Sequence, residues 1–457
     1  MKWTEELASF AAERKFEDLP PEVVQQVKLT VLDTLGCGLG GYTLAAEEVS
    51  WILSLIKNQG CSGPSTVFCD GFKTSSAYAA LANGTMIHTV DFDDTHVGSV
   101  GHLGSSLVAT AFAMGEQLKS RGTDVITAFT LGFEVAARVG RSVMPTHYNF
   151  WHPTATVGLI GSAVAGAKLL GLDAERMELV IGHAADQTGG LRYCIDSGDF
   201  SKSLHPGFAA MKGVLLSLVV SMGATGPKGI LEYPTGFCNA YSAEPKLEPL
   251  TADLGKDYEV MQDTTKAYPA IQCAQAPVQA TLSVMRKHNL RAEDIEQIDI
   301  RRADFPAAAT KNQGCNYSPA TPLAAHLSIP FCVGLAAYEG RVGLDQFTHD
   351  KLKSPRIKEV MSKIKITPDP KINTEYPNAR TAVFVDVKVK GGRAYSESVI
   401  HAKGEPDNRM TPDEVRDKFR GLASNTFDHG RVEVIIEAIR DLEKVEDFSK
   451  TTHILVK

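Results

Sequence analysis

Over roughly the first 230 residues, apolar side chains return every three or four positions, and long apolar-polar alternation is scarce. A chain patterned in this way has to bury helical faces against one another. The period recurs in segments 74–89, 104–119, 123–141, 153–169, 173–187 and 206–222. Within 153–169, Ala155, Gly158, Gly161, Ala163, Ala165 and Gly166 stand where bulkier residues would shield the backbone. Each glycine costs a helix about 1 kcal/mol relative to alanine, so this segment is predicted to meet a neighbouring backbone inside a bundle. Pro20-Pro21-Glu22 opens an earlier helix with Val24, Val27, Leu29, Val31, Leu32 and Leu35 on its buried face. The glycines at 36, 38, 40 and 41 either end that helix or press it against a partner.

The pattern changes after about residue 265. Ile295, Ile298 and Ile300 suggest one short strand and Ile364-Lys365-Ile366 another, while 382–390 alternates valines with mostly polar residues before Gly391-Gly392. With helices near 275–288 and 321–339, these form an α+β unit containing an antiparallel sheet. Thr411-Pro412-Asp413-Glu414 then caps a helical tail that reaches about residue 445. The expected fold is mainly α. It has a large all-helical domain over 1–265, a smaller α+β lid domain over 266–403, and a C-terminal helical segment over 404–457 that returns to the first domain.

Charge and cysteine usage narrow the partners. The net charge of −7, from 54 acidic and 47 basic side chains, gives no broad attraction to nucleic acid. The eight cysteines are scattered without a CxxC pair, which reads as reduced thiols rather than a zinc or iron-sulfur set. The first residues contain no apolar signal region, which favours the cytoplasm, and runs such as 214–220 are too short to cross a membrane.

Asp91-Phe92-Asp93-Asp94-Thr95-His96, followed by His102, places ionisable groups beside Ala-, Leu- and Val-rich sequence. Buried carboxylates and imidazoles cost desolvation unless paired, so the cluster reads either as a pocket edge or as a solvent-facing turn with a helix cap. Four more segments stand beside it: His152-Pro153-Thr154, Lys202-Ser203-Leu204-His205-Pro206-Gly207, Lys266-Ala267-Tyr268-Pro269 and Asn316-Tyr317-Ser318-Pro319. Each taken alone is also compatible with a structural turn, cap or interdomain ion pair. A divalent-metal reading of Asp91, Asp93, Asp94 and His96 lacks a second ligand set, and a prenyl-diphosphate DDxxD motif would need an aspartate where Val97 stands.

Together these segments resemble the MmgE/PrpD family, and the resemblance runs through nearly the whole chain. Asp91-Phe92-Asp93-Asp94-Thr95 is similar to its aspartate-rich signature, His152-Pro153-Thr154 to its helix-opening histidine motif, 202–207 to its Lys-x-Leu-His-Pro-Gly signature and 266–269 to its Lys-x-Tyr/Phe-Pro segment. His102-Leu103-Gly104-Ser105 departs by carrying Leu103 for the usual proline, and Gln275 stands where many relatives have a histidine. The resemblance implies a helical domain with a lid, a homodimer, and an enzyme for small di- or tricarboxylates that uses no cofactor and no metal. The absence of a GxGxxG turn between strand and helix agrees with the lack of a nicotinamide or flavin. It further implies that Lys202 and Lys266 hold substrate carboxylates, that Asp91 and Thr95 orient the substrate, and that His102 and His152 exchange protons. His205, Tyr268, Gln275 and Tyr317 complete the expected binding set. Dehydration of a 2-methylcitrate-like acid leads, ahead of iminodisuccinate-type epimerisation and cis-aconitate-type decarboxylation, with a nonenzymatic carboxylate-binding protein as the reading from a different class.

Overall fold

The computed structural model describes residues 2–304, 312–377 and 379–457. In chain order the first helices are α1 (Trp3–Glu13), α2 (Pro21–Leu44), α3 (Ala46–Asn58), α4 (Ser76–His88), α5 (Leu103–Leu118) and α6 (Gly122–Val143). They continue as α7 (Pro153–Leu169), α8 (Ala174–Asp186), α9 (Tyr193–Ser197), α10 (Ser201–Ser221) and α11 (Phe237–Tyr241). Then come α12 (Gln272–Lys287), α13 (Pro322–His326), α14 (Ile329–Glu339), α15 (His349–Lys353), α16 (Pro355–Met361) and α17 (Pro370–Glu375). The tail forms α18 (Pro412–Ala423) and α19 (His429–Arg440). The fold is mainly α, with one sheet of more than two strands among the described residues.

Small residues set how closely the helices approach. Helix α2 runs through its four glycines instead of stopping at them, because they form its contact faces. A Cβ on Gly41 would lie 2.4 Å from the Met86 carbonyl oxygen of α4, and one on Gly40 would lie 2.9 Å from Leu422 of α18. Gly132 of α6 and Gly161 of α7 face each other in the same way, each Cβ position 2.6 Å from the other's carbonyl oxygen. Side chains there would force the backbones apart.

Two helices depart from the sequence reading. Helix α10 begins at Ser201 and carries Pro206 inside it, so Lys202 and His205 are helical residues rather than members of a preceding turn. Its 21 residues are long and apolar enough to cross a membrane by length and composition, yet half of the apolar window is buried inside the protein. The segment 321–339 is broken into α13 and α14, because the Ser328 hydroxyl accepts from the Phe331 N–H at 3.1 Å and starts a new helix.

The sheet has the order β6 (Ile364–Pro368), β5 (Ile295–Arg302), β7 (Val383–Val389) and β8 (Ala394–Val399), numbered in chain order with the shorter strands below. β5 runs parallel to β6 and antiparallel to β7, which pairs antiparallel with β8. Ile298 and Ile300 lie opposite Val387 and Val385, and their buried side chains pack with α12 and α14 in one apolar cluster. A second and larger cluster fills the helical part and includes Phe419, Leu422 and Ile435 from the tail. Two-residue ladders also occur: β1 (Ser65–Thr66) with β2 (Lys73–Thr74), and β3 (Thr95–His96) with β4 (Asp263–Thr264). The β3–β4 ladder joins the loop after α4 to the chain leading into Lys266.

Candidate active site

The aspartate-rich segment is a loop between α4 and α5, not a helix. Its ends are fixed locally: His102 occupies the N-cap position of α5, and the Gly104 N–H donates to Asp94 Oδ2 at 3.0 Å. In between, Asp91 (φ 46°) and Val100 (φ 56°) adopt left-handed backbone conformations. Non-glycine residues held there cost of order 1–3 kcal/mol each, so surrounding contacts must impose the shape.

Those contacts are ionic. Lys266 Nζ donates to Asp91 Oδ1 and to the Asp91 carbonyl, both at 2.8 Å, and Lys202 Nζ reaches the same Oδ1 at 3.2 Å. Lys202 also donates to His88 Nε2 at 2.8 Å, while His88 Nδ1 lies 2.7 Å from Asp93 Oδ2. An ammonium can only donate, so His88 must carry its lone pair on Nε2 and its proton on Nδ1, toward Asp93. The buried network therefore runs from Asp93 through His88 and Lys202 to Asp91 and Lys266. Burial would push Asp91 up, but Lys202 and Lys266 overcome it and hold the carboxyl well below the usual range. Asp94 is raised to about 7 by burial and the neighbouring Asp93 charge.

Three further imidazoles continue from His88 in this network. The ring centre of His102 lies 4.7 Å from that of His88 and 6.1 Å from that of His152, and the rings of His152 and His205 are 5.0 Å apart. His102 Nδ1 donates to the Asp94 carbonyl at 2.7 Å, which leaves the lone pair on Nε2. His152 Nδ1 is 2.8 Å from His205 Nδ1. Burial lowers the pKa of both His102 and His152 well below the ordinary imidazole value, with Lys266 adding to the first and His205 to the second. Both rings are neutral at rest.

Beside them a cavity opens between the helical part and the sheet-bearing part. Its lining includes Thr95, His102, Tyr148, Gln272, Arg302 and Arg380, and among the described residues no aspartate or glutamate faces it. Arg302 comes from the end of β5. An acid-free pocket carrying two arginines and an imidazole favours an anion.

The structure thus brings Asp91, Thr95, His102, His152, Lys202, His205 and Lys266 into one region, but turns some of them away from the expected task. The ammonium groups of Lys202 and Lys266, buried to 2% and 0% exposure, meet on Asp91 and do not line the cavity. Gln275 does not face a ligand either. Its Oε1 accepts from the N–H groups of Ala267 (3.1 Å) and Tyr268 (3.0 Å), and its Nε2 donates to the carbonyls of Tyr268 and Ala270, both at 2.9 Å. It shapes the loop that carries Lys266. Tyr268 packs against the second apolar cluster, and the Tyr317 hydroxyl donates to the Ile364 carbonyl at 3.1 Å, so neither joins the cavity wall. His96 is directed to Glu259 at 3.1 Å and not to the aspartates.

Several members of the site escape the sequence reading. His88 ends α4, three residues before Asp91, and that proximity was its one signal. Asp33 is a lone acid on the apolar face of α2, paired at 2.7 Å with Lys418 of α18. Lys418 also donates to the Phe92 carbonyl at 2.8 Å and lies 3.8 Å from the Phe92 ring centre, so the tail clamps the aspartate loop. Arg302 sits in a strand pattern that gave no hint of a ligand.

A family model described as the MmgE/PrpD N-terminal domain matches residues 5–250, and one described as the MmgE/PrpD C-terminal domain matches residues 268–444. The chain is 28% identical to a cis-aconitate decarboxylase of Homo sapiens, over 99% of this chain and 94% of that protein. It is 26% identical to a cis-aconitate decarboxylase of Aspergillus terreus, over 99% of this chain and 95% of the relative. A mitochondrial 2-methylcitrate dehydratase of Yarrowia lipolytica is 24% identical, over 91% of this chain and 83% of that protein.

Proposed function

This chain belongs to the MmgE/PrpD family, and on that premise we propose that it is a cofactor-independent lyase that decarboxylates a small cis-aconitate-type acid. The observation that carries the substrate class is the cavity holding Thr95, His102, Arg302 and Arg380, whose described lining contains no aspartate or glutamate. Support for decarboxylation ahead of dehydration comes from the relatives, since the decarboxylases align over more of the chain at somewhat higher identity than the dehydratase.

In this reading Arg302 and Arg380 hold carboxylates that stay on the product, and the Thr95 hydroxyl donates to a third. Lys202 and Lys266 act one layer further back, fixing Asp91 and with it the loop that carries Thr95 and His102. A polyanion entering beside neutral His102 raises the imidazole pKa, so binding recruits a proton to the ring. The bond from carbon to the departing carboxylate then breaks, and its electron pair moves into the conjugated acid. The His102 proton is delivered to carbon, leaving carbon dioxide and an unsaturated acid one carbon shorter. His152 and His205, linked at 2.8 Å, resupply His102.

The test is an NMR assay in deuterated buffer against cis-aconitate, 2-methylcitrate, citrate and iminodisuccinate. Loss of carbon dioxide from cis-aconitate, with one deuterium entering the product, is expected. Water loss from methylcitrate without decarboxylation would replace this reading with a dehydratase, and inversion with exchange would replace it with an epimerase. Binding without turnover of any of the four would leave a carboxylate-binding protein.

A further inference from the structure

Beside His102, three side chains of ligand type converge from three helices. His152 stands at the N-cap of α7, Cys194 lies on α9 and His205 lies on α10. His152 Nδ1 is 2.8 Å from His205 Nδ1, Cys194 Sγ is 3.8 Å from that same His205 nitrogen, and one ligand atom from each residue falls within 4.8 Å of the others. We propose that Cys194, His152 and His205 form a binding site for a soft divalent cation, Zn2+ fitting best, and that filling it stops turnover.

The distances support tetrahedral ligation. With Zn–N about 2.05 Å and Zn–S about 2.3 Å, tetrahedral ligands stand about 3.3 Å apart for two nitrogens and about 3.6 Å apart for nitrogen and sulfur. The two measured separations lie within about half an ångström of those values, which small side-chain rotations cover. A thiolate with two imidazoles selects zinc over the hard cations. His152 already has an outer partner, its Nε2 lying 3.3 Å from Thr154 Oγ1. His205 also borders a small cleft with Gly189, Phe208 and Lys212, which offers the ion a route.

Two neighbouring groups also have ligand atoms within 4.8 Å of one another: His88 with His102 and His152, and Asp91 with Asp93 and His102. Both suit a cation less well, because Lys202 occupies His88 Nε2 and two ammonium groups occupy Asp91 Oδ1. At the Cys194 site burial keeps the ligating forms of the imidazoles, drawing His205 down to about 4. Burial also pushes the Cys194 thiol up to about 12, so the metal must displace its proton. The S–H bond breaks, an S–Zn bond forms and one proton leaves to solvent. The ion would occupy the lone pairs of His152 and His205, so the inhibitory part rests on their proposed role in resupplying His102. Metal binding itself does not.

The test is titration of the full-length protein with Co2+, then Zn2+. Wild type is expected to develop thiolate-to-cobalt charge-transfer absorption, release one proton per ion, and lose about tenfold or more of its turnover as either ion fills the site. Cys194→Ser is expected to turn over like wild type, to lack the absorption, and to resist zinc at least about tenfold better. No such band in wild type overturns the site. So does a band that survives in Cys194→Ser and vanishes in Cys61→Ser, which would mark an adventitious ion only, on the exposed Cys61. If Cys194→Ser does not fold, zinc-edge X-ray absorption of wild type decides: one sulfur with two imidazoles upholds the site, and nitrogen and oxygen alone overturn it. A cobalt band that depends on Cys194 while zinc leaves turnover unchanged upholds the metal site and overturns both its inhibitory effect and the resupply role given to His152 and His205.

Discussion

Asp91 and Asp94 are three residues apart, equally buried, and pushed in opposite directions by what faces them. Asp91 meets two ammonium groups and stays ionised, whereas Asp94 meets Asp93 and is raised to about 7. A carboxyl whose folded pKa exceeds its unfolded value near 3.8 contributes stability below about pH 4 that is lost as pH rises through 7. Asp94→Asn keeps an oxygen for the Gly104 N–H and removes the charge. It is expected to stabilise the fold by on the order of 3 kcal/mol at pH 8 and by clearly less at pH 5, read from thermal unfolding. His102→Gln is expected to lower kcat by about 10²–10⁴-fold with little change in Tm. Because the free imidazole is neutral and its pKa is lowered, wild-type kcat/KM should climb by close to tenfold per unit as pH falls from 8 to 7. A flat profile there would remove His102 as the acid.

At the scale of elements, the same residue type has opposite effects according to what lies against it. Gly161 faces a carbonyl oxygen of α6, while Gly421 in α18 has nothing within 4 Å of its would-be Cβ. Gly161→Ala is expected to destabilise by about 1–3 kcal/mol, and Gly421→Ala to stabilise by up to about 1 kcal/mol, both measured by denaturant unfolding. The helical period located most of these elements within a few residues, because an amphipathic face is written locally. It missed the start of α10, since Pro206 reads as a boundary although the helix begins five positions earlier. It also ran through the break at Ser328, which a cap creates and apolar spacing does not record.

For the molecule as a whole, the cavity exists only where the helical part meets the sheet, with Thr95 and His102 on one wall and Arg302 on another. Arg302→Gln should therefore raise KM by about 10–100-fold, the equivalent of losing charged hydrogen bonds worth about 1.5–3 kcal/mol, while kcat changes much less. Steady-state kinetics with cis-aconitate would show it, and an unchanged KM would exclude the arginine from binding. The helical bundle, the added sheet and the segments that the fold gathers around Asp91 are all legible in the local pattern, because periodicity and motif spacing are properties of neighbouring residues. Which way those side chains face was decided by tertiary structure alone. Lys202 and Lys266 are directed onto Asp91 because α10 packs beside α4 and the β3–β4 ladder draws the chain after β4 to the same loop. Charges buried together must pair with one another before they are available to a ligand, and that pairing depends on distances between elements that no local pattern contains.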